Sequence, residues 1–235
     1  MQQPTDRRSF LRHAGFAGFA AIAGALPQEK HTPAEKSEEE VTPVEDLARE
    51  HGLLNRVLLI YDELIRRVAA KREFDPKLLA DSATVIRRFI EDYHERLEEE
   101  HLFPRFQKAG RLLELVSVLR QQHDEGRQLT TRILRLGEPG MLRAEVGRSE
   151  LAALLGDFVR LYRPHEARED TVLFPALREI VSHREYESLG ERFEEKEHEL
   201  FGEGGFQAVL NRVETIEKAL GIYDLSQYIP RPAAR

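Results

Sequence analysis

The chemistry this chain can offer rests on six side chains: His51, His94, Glu98, His123, His165 and Glu169. Each stands where the spacing of its neighbours calls for a buried apolar residue. Leu47, His51, Leu54, Leu58, Tyr61, Ile65 and Val68 recur at alternating steps of four and three, the stripe of an amphipathic helix. A second stripe runs Leu79, Ala83, Ile86, Ile90, His94, Glu98; a third runs Leu112, Val116, Leu119, His123, Gly126, Thr130, Ile133. A fourth runs Leu151, Leu155, Phe158, Tyr162, His165, Glu169, Val172. One buried imidazole is ordinarily a satisfied core residue, but a buried carboxylate without a counter-charge is strongly unfavourable. Four imidazoles and two carboxylates in one core, with no Lys or Arg on the same stripes, call for a cation. His and Glu four apart share a helix face, so both can reach one ion.

The set is doubled. His94-Glu95-Arg96-Leu97-Glu98 through Leu102-Phe103-Pro104 matches His165-Glu166-Ala167-Arg168-Glu169 through Leu173-Phe174-Pro175, at an offset of 71 residues (94 to 165). His51 and His123 stand 72 apart (51 to 123). Two helix pairs of one plan suit two metals in one core, as helix bundles commonly arrange them. Glu98 and Glu169 can bridge such a pair, leaving His51 and His94 to one side and His123 and His165 to the other. With no cysteine in the chain, thiolates are excluded, and imidazole with carboxylate suits iron, manganese or zinc.

These residues require an all-α fold of four long helices. Thr42-Pro43-Val44-Glu45 reads as a capped helix start with Pro in the first turn, and Asp75-Pro76 as a second. The third helix is predicted over about 111–136 and the fourth from about Arg148, with a kink where Pro164 precedes His165. Segments near 178–200 and 205–220, split by Gly202, Gly204 and Gly205, read as shorter helices against the bundle. The domain reading is 1–27 leader, 28–42 disordered linker, 43–177 four-helix bundle, 178–235 helical extension.

A His in the first helix, HExxxExxxLFP at His94–Pro104, a His in the third helix, and the same element at His165–Pro175 together resemble the hemerythrin-like, or HHE cation-binding, family over about 44–177. The resemblance implies an up-down-up-down four-helix bundle around two non-haem iron ions, manganese or zinc being alternatives. It also implies dioxygen, another small diatomic molecule or a peroxide as ligand. Oxygen-carrying members have a second His four residues after the first on the third helix; here Arg127 stands there. They also use a carboxylate five residues after the fourth-helix His, here Asp170, whereas the repeat favours Glu169. Glu95 and Glu166 are candidates for further ligands or for supporting residues behind them. Tyr61 and Tyr162 are placed to donate hydrogen bonds to a small ligand or simply to pack.

Other features are less informative. Glu195-x-x-His198 superficially matches a ferritin-type ligand pair but occurs once, and ferritin-like sites need two. His101 and His183 read as surface residues, and His13 belongs to the leader. That leader, Asp6-Arg7-Arg8-Ser9-Phe10-Leu11-Arg12 followed by a small-residue apolar run from Ala14 to Leu26, resembles a twin-arginine export signal. The run is shorter than the roughly 20 residues a membrane span needs, so no stable span is expected after cleavage. Removing three arginines and one aspartate takes the formal charge of −7 to about −9. Charges of both signs are mixed along the helices, with no basic block to serve nucleic acid.

The functional expectation is therefore a periplasmic or otherwise exported di-iron protein that binds or senses dioxygen or a related small molecule. A di-iron oxidase or peroxidase, metal storage or sensing without gas chemistry, and a purely structural bundle are the alternatives. A redox partner cannot be read from the sequence.

Overall fold

A computed structural model describes residues 41–138 and 140–230. The leader and nearly all of the linker, 1–40, lie outside the described residues. Helix α1 is Pro43–Ala69; Thr42 accepts from the Glu45 backbone N–H while Glu45 reaches back to the Thr42 N–H, closing a capping box. Helix α2 occupies 76–109 as an unbroken succession of Pro76–Val85, Ile86–His94, Glu95–Leu97, Glu98–Leu102 and Phe103–Ala109, the second and fourth π-helical. Asp75 caps it by accepting from the Lys77 N–H. Helix α3 is Leu113–Leu136. Helix α4 occupies 145–180, as Glu145–Arg168, π-helical Glu169–Leu173 and Phe174–Ile180. Helices α5, His183–Phe201, and α6, Gly205–Leu220, complete the described chain apart from short 3₁₀ turns.

The first four form an all-α, up-down-up-down bundle, with α1 and α3 each packed along α4 and α2 closing the ring. The four stripes named from the sequence face its axis: Leu47, Leu54, Leu58, Leu79, Ile86, Ile90, Val116, Leu119, Ile133, Leu151, Leu155 and Phe158 are all buried. Aromatic contacts hold the layer beside the polar centre, Phe158 standing edge-on to Tyr61 and stacked on Tyr162 at 4.4 Å. Helices α5 and α6 lie outside α1 and α2. Phe201 and Phe206 pack on Phe89, Arg56 pairs with Glu217, and Arg67 donates to the Leu220 carbonyl at 2.7 Å. Among the described residues no helix is long and apolar enough to cross a membrane.

Pro164 falls inside the α-helical part of α4, Glu145–Arg168, on its exposed face. A π turn follows at Glu169–Leu173 and matches Glu98–Leu102 in α2. In both, the N–H of Phe103 or Phe174 bonds the carbonyl five residues back, of Glu98 or Glu169. The proline that follows each phenylalanine has no N–H to resume the ladder, so the turn widens there. One expectation needs correcting: Arg127, on α3, does reach inward, to Glu95 and Glu99.

Candidate metal centre

The structure brings all six sequence-predicted side chains together at the middle of the bundle. His51, His94, Glu98 and Glu169 form one group whose ligand atoms lie within 4.8 Å of one another, and Glu98, His123, His165 and Glu169 form a second. Both groups share Glu98 and Glu169. The Nε2 atoms of His51 and His94 are 3.0 Å apart, and those of His123 and His165 3.2 Å. Glu169 Oε2 lies 3.4 Å from His51 Nε2 and 3.0 Å from His165 Nε2; Glu98 lies 3.7 Å from His94 and 3.5 Å from His123. Each carboxylate therefore spans the two histidine pairs.

The far nitrogen of every ring is already engaged. Nδ1 of His51 meets Asp170 at 2.8 Å, that of His94 meets Glu50 at 2.7 Å, that of His123 meets Glu99 at 3.0 Å, and that of His165 meets the Gln122 side-chain oxygen at 3.1 Å. These acceptors place the ring proton on Nδ1 and leave Nε2 directed at the centre, the arrangement that orients metal-binding imidazoles. Phe174 stacks on His51 and Phe103 on His123, at 5.4 and 5.5 Å, fixing the rings from the other side. The wide π turn lets Glu98 and Phe103, five residues apart, face inward together.

Among the described residues neither oxygen of Glu98 has a hydrogen-bond partner and Glu169 meets only the Nε2 atoms of His165 and His51, although both side chains are fully buried. Forgoing an apolar residue gives up roughly 1.5–3 kcal/mol at each buried position, and a buried carboxylate without a partner costs several more. Cations at their junction would offset that cost, and the residues present fit a pair of them.

The ion-free electrostatics agree. Burial pushes the Glu98 carboxyl well above its usual range, and the neighbouring Glu169 charge adds to the effect. Burial also acts on Glu169, but the His165 and His51 imidazoles hold it well below that range. Burial opposes protonation of His51, yet Asp170 and Glu169 outweigh it and raise its pKa to about 10. On the other side burial dominates and lowers His123 to about 4.

Glu95 and Glu166 stand just outside the six. Glu95 Oε1 accepts from the Tyr162 hydroxyl at 2.7 Å, and Arg127 lies 2.8 Å from Glu95 Oε2 and 2.7 Å from Glu99 Oε1. This inward guanidinium pairs with Glu95 and Glu99 and with neither Glu98 nor Glu169. Burial raises Glu166 to about 7. Tyr61 is buried with no partner for its hydroxyl. His198 and His183 are exposed, and His101 is half-buried near Phe193, so none of the three joins the site.

Residues 42–146 match the Hemerythrin HHE cation binding domain. The chain carries a hemerythrin HHE domain. The matched range covers α1 to α3, and α4, beyond it, brings the second copy of the same element. Uncharacterised proteins of Mycobacterium tuberculosis and Mycobacterium bovis are 48% identical to this HHE chain over 220 residues, 92% of it and 86% of their own length. No solved structure matches it.

The sequence reading missed Glu50, Glu99 and Gln122, and took Asp170 for an alternative ligand where the structure sets it behind His51. A signal was present: each of the four is the chain neighbour of one of the six. What could not be read is that each serves a histidine on a different helix.

Proposed function

We propose that this HHE protein holds two non-haem iron ions, with His51, His94, His123 and His165 as terminal ligands and Glu98 and Glu169 shared, and that it binds or senses dioxygen or a related small molecule in the cell envelope. The observation that carries the reading is the pair of overlapping ligand groups with the fully buried carboxylates of Glu98 and Glu169 at their junction. An iron pair bound there would supply reversible redox change and a coordination position for a small ligand. The chain's own residues do the rest. Asp170, Glu50, Glu99 and Gln122 orient the imidazoles; Phe103 and Phe174 cover the rings; the Tyr162 hydroxyl donates to Glu95 beside His123.

The buried Tyr162–Glu95 pair also favours a second reading, oxidase or peroxidase chemistry, because it places a proton donor next to the centre. Optical spectra of the iron-loaded protein, recorded through cycles of reduction and air exposure, separate the two. A spectrum that changes in air and reverts when oxygen is removed supports binding or sensing; consumption of added reductant with oxygen or peroxide supports catalysis. No response to either sinks both and leaves metal storage.

The envelope location rests on the twin-arginine pattern at Arg7-Arg8. Replacing both with lysine is expected to retain the protein in the cytoplasm, as fractionation would show; unchanged export would remove that part of the proposal.

A further inference from the structure

The sequence repeat extends to the partners behind the histidines, and there it is broken. Glu50, the neighbour of His51, bonds His94; its equivalent Gln122, the neighbour of His123, bonds His165. A buried carboxylate at 2.7 Å on one side thus corresponds to a neutral amide at 3.1 Å on the other. Asp170 behind His51 corresponds to Glu99 behind His123. Among the described residues Asp170 has no Lys or Arg partner, whereas Glu99 is shared with the guanidinium groups of Arg127 at 2.7 Å and Arg96 at 3.0 Å. Arg127 itself corresponds to Asn55, so a fixed cation stands beside Glu95 on the His123 side and a neutral amide beside Glu166 on the His51 side.

Resting on the reading that the six residues hold two cations, we infer that the two positions are unequal: the one bounded by His51 and His94 fills first and holds its ion more tightly, and the one bounded by His123 and His165 is the exchangeable position. A carboxylate accepting from Nδ1 makes an imidazole a stronger donor at Nε2, and its removal typically costs about 10–100-fold in metal affinity. The His51–His94 position has two such carboxylates. The His123–His165 position has one, partly neutralised by arginines, and an amide. Arg127 also repels a second cation from that side. Every broken equivalence weakens the same half.

The test is titration of the full chain, stripped of metal, with Co(II), followed by calorimetry and by the visible absorption of the bound ion. The expected result is two steps separated by about tenfold or more. Gln122→Glu should tighten the weaker step by about tenfold and leave the stronger one in place; Glu50→Gln should weaken the stronger step by about 10–100-fold. The variants alter opposite halves, so if Glu50→Gln does not fold, Gln122→Glu still decides. Two ions taken up in one step of equal affinity, or a Gln122→Glu effect confined to the stronger step, would overturn the inference. Absence of any Co(II) binding is a different result, which removes the ligand assignment itself.

Discussion

Glu50 precedes His51 in the chain but serves His94 across the bundle, its Oε2 2.7 Å from His94 Nδ1. The same carboxylate accepts from the Tyr93 hydroxyl at 3.2 Å, and Tyr93 in turn lies against α5 at Phe193. The C-terminal helices are thereby tied to the centre: they cover the helix pair whose partner residues fix one of its imidazoles.

His94→Ala and His165→Ala should each lose most of the bound metal and much of the stability it confers. A ligand bound only by the folded state contributes about 3–4 kcal/mol at 100 to 1,000 times its Kd. Elemental analysis and thermal melting check this; full metal content with an unchanged Tm in both variants would contradict the assignment.

Gly126→Ala should destabilise the protein by about 1–3 kcal/mol through overpacking. A Cβ at Gly126 would stand 2.0 Å from the Tyr162 hydroxyl, which is held by Glu95. Tyr162→Phe in the same background should recover part of the loss by removing the clashing oxygen. Denaturant melts measure both, and a neutral Gly126→Ala would show that the close approach is not needed.

Arg127→Met should also destabilise the fold, by about 1–3 kcal/mol, since it leaves Glu95 without its guanidinium and Glu99 with Arg96 alone. The half-buried position keeps the figure below that of a fully enclosed pair. Urea unfolding at neutral pH gives the value; no change would mean that Glu95 stays protonated throughout.

Much of the fold was legible because the stripes are long and regular and the caps at Thr42 and Asp75 are unambiguous. The six inward residues were legible because a polar side chain on an apolar stripe is conspicuous. Three things were not. The π turns at Glu98 and Glu169 come from backbone bonding around Pro104 and Pro175, which the period of the pattern does not reveal. The inward reach of Arg127 depends on a long side chain leaving its own stripe, as does the crossing of Glu50 to His94.

Metal affinity should rise with pH. His51 has a folded-state pKa raised from 6.5 to about 10, so in the metal-free protein its proton stabilises the fold fully below pH 6.5 and this is lost as pH rises through 10. A proton and a metal ion compete for the same Nε2 lone pair. Binding at pH 7 to 9 should therefore release at least one proton and tighten by about tenfold per pH unit. Calorimetry in buffers of different ionisation enthalpy counts the protons. Pairing of metal with no proton release would show that His51 is neutral before binding.

The most direct measurement is the iron content of the wild-type protein beside that of Glu98→Ala, both purified after iron-supplemented expression. If Glu98 and Glu169 are shared between two ions, the wild type should carry about two irons per chain, and the loss of Glu98 should weaken both positions together. No iron in the wild type, or a Glu98→Ala variant that keeps both ions, would contradict a shared dinuclear centre.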